Sequence, residues 1–421
     1  MHPFILVWLL CAGPLWAIIG GILIPQRYRR QGRTNTGIQT ISIVGGFAMG
    51  IIIVPFLWFQ LPDWRNTRWG LYLTLIALAE LYLVFAFANP ENPCVTLPFA
   101  PTYVSQQIIN GVTVGVIYAI IAVGLTLIYS VQGIVNFAHG QLYMIGGYFS
   151  YYFLDYGNLF LQSQGIVGEE FMINPIWGIP VAGILTFFVG GIFEYLFIRP
   201  MHSGKIERAA EYAILITFGF GFFLEYTTLA IVGPFSQRTD RFSEVRRVTF
   251  GEIQFDGDSI FGPINLLADR GIALVLGLLL ILGLLWFLQR TWFGRGLRAV
   301  SQDKDAAAVT GVDPLRMNTV AFAIGSLLAG MSGAILIPIF AWVPWVGAET
   351  AVRAYVVVVL GGLGSVPGAL LGGLIVGIVE SLGSGCYPDP SRGAAYKEAF
   401  ALAIFAVLLL LRPQGLFGRK E

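Results

Sequence analysis

Charge is scarce in this sequence. Asp, Glu, Lys and Arg make up 12% of its 421 residues, against about 25% in soluble domains. Hydrophobic residues reach 56% and the mean hydropathy is +0.74, which excludes a water-soluble globular domain. No basic cluster interleaved with aromatics marks a nucleic-acid surface. The three cysteines, Cys11, Cys94 and Cys386, are far apart and form no CxxC pair, so neither a metal site nor a disulfide is expected. There is no GxxxxGKS/T loop to cradle a phosphate, and no GxSxG, HExxH or acid pair spaced for acid–base work. The chain therefore reads as a non-enzyme with no cofactor, and any ATP hydrolysis that drives it belongs to another chain. The first apolar run lacks a charged leader and a small-residue cleavage site. Arg27, Arg29, Arg30 and Arg33 follow it, so it reads as a retained span.

What is present is repeated apolar length. Runs fall near 4–24, 38–59, 70–88, 105–130, 138–155, 175–198, 211–232, 271–290, 317–342, 354–384 and 396–412. Most are long enough to cross a bilayer as helices. The basic linkers 25–33, 199–211 and 290–316 and the tail are assigned to the cytoplasm. The mixed or acidic linkers 60–69, 156–174, 233–270 and 385–395 go to the other side. Within 233–270 the alternation VRRVTFGEIQFDGD predicts a small hairpin turning at Asp256–Gly257. Counting crossings then fails at 105–155 and at 354–384, and each place holds a run of helix breakers. One broken or re-entrant helix at each place restores the count. The expectation is an all-α polytopic membrane protein with about nine transmembrane helices plus two broken or re-entrant segments. Its N-terminus is placed outside and its C-terminus in the cytoplasm. Residues 1–100 read as an N-terminal extension with three transmembrane helices, ending in the breaker-rich NPENPCVTLPFAP, and 101–421 as the transport core.

Non-helical backbone at membrane depth persists only where protein buries it or it lines a wet cavity. Paired interruptions in two halves point to a transport path. The first holds the polar residues Asn136, His139 and Gln141, the second Gly361, Gly362 and Gly364. Both are expected to flank one path near the bilayer midplane. Asn136 has an alternative role as a cap for a broken helix end. Among intramembrane acids Glu380 is the deep candidate, whereas Glu194 and Glu225 lie near span ends and read as solvated or snorkelling. Trp177, Trp342, Trp345 and Tyr355 read first as interfacial belt residues.

The linker Arg290–Arg316, RTWFGRGLRAVSQDKDAAAVTGVDPLR, joins two spans. A helix from about Leu297 to Val309 would put Val300, Lys304 and Ala307–Ala308 on one face, with Arg295, Arg298 and Asp303 at its rim and Gly294 and Gly311 at its ends. Such a helix either docks on a partner or lies on the lipid surface.

Four blocks carry a family resemblance: 110–148, RPMHSGK at 199–205, FGRGLRAVSQDKDAAAVTGVDP at 293–314, and VVVVLGGLGSVPGALLGGLIVGIVESL at 356–382. RPQGLFG at 412–418 closes the chain in the same style. Together they resemble the LivH-type permease subunits of branched-chain amino-acid ABC importers, over roughly 105–421. The resemblance implies a subunit of the bacterial cytoplasmic membrane that pairs with a second related permease. It also implies two cytoplasmic ATPase subunits and a periplasmic substrate-binding protein, and makes 293–314 the coupling helix seated on an ATPase. Gln141 stands where an acid is usual after the His-Gly, and the first hundred residues have no counterpart in short family members. Urea and short-amide importers use similar permeases. A self-contained secondary transporter or channel, with Glu380 or His139 holding a coupling ion, is the alternative from another class.

Overall fold

The computed structural model describes residues 101–421 apart from 167, 169–170, 204–205, 246, 251–252, 256–257, 262–263, 388–389, 413 and 419–421. The three spans expected within 1–100 lie outside the described residues. Two compact units are distinguished: Ser105–Ser381 with Gln414–Glu421, and Met1–Val104 with Leu382–Pro413.

The larger unit is built around α1 (Pro101–Gln132), whose most apolar stretch is 89% buried. Its small residues decide which helices approach it. A Cβ on Gly115 would lie 2.8 Å from the Gly373 carbonyl oxygen, and one on Gly373 would lie 2.7 Å from that of Gly115. These contacts seat α10 (Val366–Gly385) antiparallel to α1. With no hydrophobic drive between helices in lipid, such backbone contact provides much of the attraction. Val116, Ala119 and Ile120 of α1 pack with Ile281 of α5 (Ala268–Arg290).

α2 (His139–Ser163) and α8 (Pro314–Leu336) also approach α1, where a Cβ on Gly124 would meet the Gly325 carbonyl and the His139 ring. Between them in the chain come α3 (Gly178–Phe193), prolonged by a π turn over Glu194–Ile198, and α4 (Ala209–Val232). The connector follows α5 as α6 (Trp292–Gln302) and α7 (Lys304–Val309). After α8 come α9 (Val346–Gly361), α10, the short α11 (Pro390–Gly393) and α12 (Lys397–Leu411). Among the described residues six helices are long and apolar enough to cross a membrane: α1, α3 with its extension, α4, α5, α8 and α10.

Before α5 two short antiparallel ladders nest. Strand β1 (Arg247–Phe250) pairs with β4 (Ile264–Leu267), and β2 (Ile253–Phe255) with β3 (Asp258–Phe261). Asp256 and Gly257 fall between β2 and β3, where alternation placed the turn.

The run 354–384 is broken into two helices, α9 and α10, separated at Gly362–Ser365. Three other expectations are corrected. Trp342 is no belt residue: it is fully buried, donating from Nε1 to the Met144 carbonyl at 2.9 Å and meeting the Tyr143 ring at 4.9 Å. Glu194 is fully buried in the π turn rather than snorkelling. Cys386 is disulfide-bonded, against the expectation of unpaired cysteines; Cys11 and Cys94 lie outside the described residues.

Candidate functional site

The first helix break has a specific shape. α1 ends at Gln132, and Gly133 turns the chain with φ +75°, a left-handed conformation that favours glycine. The next residues run without regular structure to α2, which begins at His139. His139 is buried, and its Nε2 lies 2.9 Å from the Ile121 carbonyl oxygen. Ile121 is three turns of helix before the end of α1. The segment therefore folds back along α1 before α2 starts, inside the apolar core.

The polar groups at this break are partly satisfied, with Asn136 Nδ2, His139 Nδ1 and Gln141 Oε1 left without a hydrogen-bond partner among the described residues. Asn136 is fully buried and its Oδ1 accepts from the Ala138 amide at 3.0 Å, a local bond that replaces one the helix would have supplied. Its backbone carbonyl accepts from the Tyr355 hydroxyl of α9 at 2.7 Å. The Phe137 amide donates to Thr217 Oγ1 of α4 at 3.3 Å. Gln141 Nε2 donates to Glu225 Oε2 of α4 at 3.4 Å. Rings continue the site: Phe137 stands 5.4 Å from Tyr355 and 5.6 Å from Phe218, and Phe218 lies 5.0 Å from Phe222. Phe218 and Phe222 are each 48% exposed, so the polar break opens onto an aromatic surface of α4. Tyr355→Phe should remove the donor to Asn136 and lower stability by about 1 kcal/mol, read as a lower unfolding temperature in detergent with assembly intact.

Glu380 belongs to a second buried cluster. It accepts from the Tyr118 hydroxyl at 2.9 Å through Oε2, and the Arg353 guanidinium sits 5.9 Å from the Tyr118 ring centroid. Tyr118 and Ile121 are one turn apart on α1, so Glu380 and His139 meet this helix at nearly one level. Gly361, Gly362 and Gly364 take a different place. Gly362 and Gly364 have φ of +100° and +83° and form the turn between α9 and α10. A Cβ on Gly364 would lie 3.7 Å from Ser130 Cβ, and one on Gly362 would collide with Gly418 of the tail. The second break thus packs beside Ser130, three residues before Gly133, and against the tail, and α9 links it to the first through Tyr355.

The connector is two helices where one was expected. Thr291 caps α6, its Oγ1 accepting from the Gly294 amide at 3.0 Å. Gly294 sits at the α5–α6 corner, where a Cβ would overlap Phe287 and Leu288. Asp303 is extended and caps α7, accepting from the Asp305 and Ala306 amides at 2.9 and 3.0 Å. Leu297, Val300 and Ala307 are buried at 1%, 1% and 4% exposure. The predicted docking face is thereby corrected, because its Val300 and Ala307 already pack on their own chain. Arg295, Arg298, Asp303, Ala306 and Ala308 are exposed, and Val309 is 90% exposed. Gly311, with φ +88°, ends the segment in open space. Arg298 also lines a cavity of about 520 Å³ with Ser130, Ser301, Gly364 and Ser365.

Sequence reasoning missed Tyr118, Thr217, Arg353 and Tyr355 as members of these clusters. A cation inside the apolar AVRAYVVVV was a visible signal for Arg353; Thr217 carried none.

Residues 107–411 match the family described as branched-chain amino acid transport system / permease component. The LivH permease protein of the high-affinity branched-chain amino acid transport system of Escherichia coli (strain K12) is 30% identical over 334 residues, covering 76% of this chain and 97% of that protein. The BraD permease protein of Pseudomonas aeruginosa is 29% identical over 317 residues, 75% of this chain and 96% of its own. The LivM permease protein of Escherichia coli (strain K12) is 24% identical over 336 residues, 75% of this chain and 71% of its own. No solved structure matches significantly. With its apolar spans and a match over most of its length, the chain belongs to the family of permease components of branched-chain amino acid transport systems.

Proposed function

We propose that this chain is the membrane subunit of an ATP-driven importer and forms part of the path by which branched-chain amino acids cross. The observation that carries the reading is the non-helical segment Gly133–Ala138, which leads from an exposed glycine to the fully buried Asn136, in a chain of this permease family. Asn136, His139 and Gln141 shape the path, with Tyr355, Thr217 and Glu225 holding them. Glu380 ties α10 to α1 beside it, and Gly361, Gly362 and Gly364 let α9 turn tightly into α10. An acid–amide pair such as Glu225–Gln141 on a partly exposed helix face is costly against acyl chains. It fits a face that a second, related permease covers.

Energy comes from ATPase subunits docked on Gly294–Gly311, with Arg295, Arg298 and Asp303 steering the contact and Val300 and Ala307 holding the connector to its own chain. A binding protein delivers substrate from the opposite side. Lys304 lies near His202 and the end of α1, and Arg295 and Arg298 lie on the same connector; this concentration of cations supports a cytoplasmic side for that end. Residues 1–100 are an extension outside the transport core.

Purification of the full-length chain from its own membranes should bring an ATPase with it. The reconstituted complex, supplied with its binding protein, should accumulate labelled leucine only when ATP is present. Leucine uptake by the chain alone, driven by an ion gradient, would replace this reading with a secondary transporter.

A further inference from the structure

We propose that Lys304 is a positioning residue that transmits movement of the connector to the helix break at Gly133–Ala138. This rests on the reading of the chain as an ATP-driven permease. The last carbonyls of a helix have no partner within it. That of Gln132, the final residue of α1, accepts from Lys304 Nζ at 3.1 Å. A cation there also complements the negative end of the helix dipole. The Gln132 side chain then donates from Nε2 to the Asn318 carbonyl of α8 at 2.8 Å. One residue thus joins α1, α7 and α8, and the next residue is Gly133, where the backbone leaves the helix.

The placement is not what a surface lysine prefers. A free ammonium keeps its full hydration and its rotamer freedom. Lys304 is exposed as a residue, but partial burial lowers its pKa from the usual value, so the ammonium gives up part of its solvation at this contact. Two buried acceptors at the same node, Gln132 Oε1 and Asn318 Oδ1, have no hydrogen-bond partner among the described residues. A node with spare acceptors offers the ammonium a second arrangement. His202, from the RPMHSGK block, lies close enough to Lys304 to feel its charge.

The mechanics follow from the breaks on either side of α7. Asp303 is extended with φ −156° and Gly311 turns with φ +88°, so Lys304–Val309 is a short rigid piece between two joints. Its far end exposes Val309; its near end holds the last carbonyl of α1. Tilting of this piece by a docked ATPase pulls on Gln132. Asn136 and His139 lie four and seven residues beyond Gln132 along the chain.

The test uses the assembled complex in proteoliposomes, with leucine uptake and ATP hydrolysis measured on one preparation. Lys304→Gln should keep ATPase association and hydrolysis while uptake per ATP falls about tenfold. Lys304→Arg, which keeps a cation and donor, should restore the ratio to within about twofold of wild type. In wild type, a non-hydrolysable ATP analogue should change amide exchange at 133–138. Lys304→Gln should abolish that change. An unaltered uptake-to-hydrolysis ratio in Lys304→Gln overturns the proposal, as does a parallel loss of both activities. Unchanged wild-type exchange at 133–138 overturns it even where the variant fails to fold. If the wild-type complex contains no ATPase, the importer reading itself has failed instead.

Discussion

Val309→Asp should strip the ATPase from the purified complex while the permease still inserts and elutes as a single species. Val309 is 90% exposed at the end of α7, beside the exposed Ala306 and Ala308. An apolar side chain left open at the cationic end of the molecule is a candidate anchor for a partner. Removing a central anchor and placing an unpaired carboxylate in an apolar contact costs at least about 2 kcal/mol, which weakens association roughly thirtyfold. Ala308→Arg should act in the same direction through steric overlap. Ala307→Arg cannot make this test, because Ala307 is buried in its own chain and the variant would damage the connector itself. Pull-down of the ATPase with tagged Val309→Asp decides the matter. Wild-type recovery of ATPase together with wild-type uptake would leave α7 a surface connector without a docking role.

Gly146→Leu should yield no folded permease, whereas Gly219→Leu should be tolerated. Both glycines lie within helices and look alike in the sequence. A Cβ on Gly146 would overlap the backbone of Gly330 on α8, while one on Gly219 meets nothing within 4 Å. At Gly146 the obstacle is main chain, which cannot rotate aside as a side chain can. Relief requires α2 and α8 to separate, costing more than about 3 kcal/mol and opening Tyr143 and Trp342 behind them. At Gly219 the added side chain faces outward and gains helix propensity, roughly 1 kcal/mol over glycine. Size-exclusion profiles and unfolding temperatures in detergent check the contrast. A monodisperse Gly146→Leu protein with a wild-type unfolding temperature would show that α2 and α8 do not pack at that spacing.

Much of the plan was legible in the linear chain. Scarce charge and repeated apolar runs imply a membrane protein because an unpaired backbone group or charge in hydrocarbon is costly. The breakers after Gln132 and at Gly361–Gly368 mark real interruptions, since glycine at φ +75°, +100° and +83° supplies turns that other residues resist. Alternation in VRRVTFGEIQFDGD gave away the β2–β3 hairpin. The connector was found, but its split was not. Asp303 reads as one more rim charge until its side chain is seen to cap α7.

What the sequence by itself determined is class, the location of breaks and the family. Each follows from local composition or contiguous motifs. Only the tertiary structure decided which residues meet. Apolar periodicity cannot rank one face of a membrane helix over another when lipid and protein interior are equally apolar. Trp342 therefore looks like a belt residue and is core. Val300 and Ala307 look like an outward face and are inward. The partners of Asn136, Gln141 and Glu380 come from α9, α4 and α1. Their spacing along the chain has no bearing on their contact, because helix packing, set by glycine-to-backbone approach, brings them together.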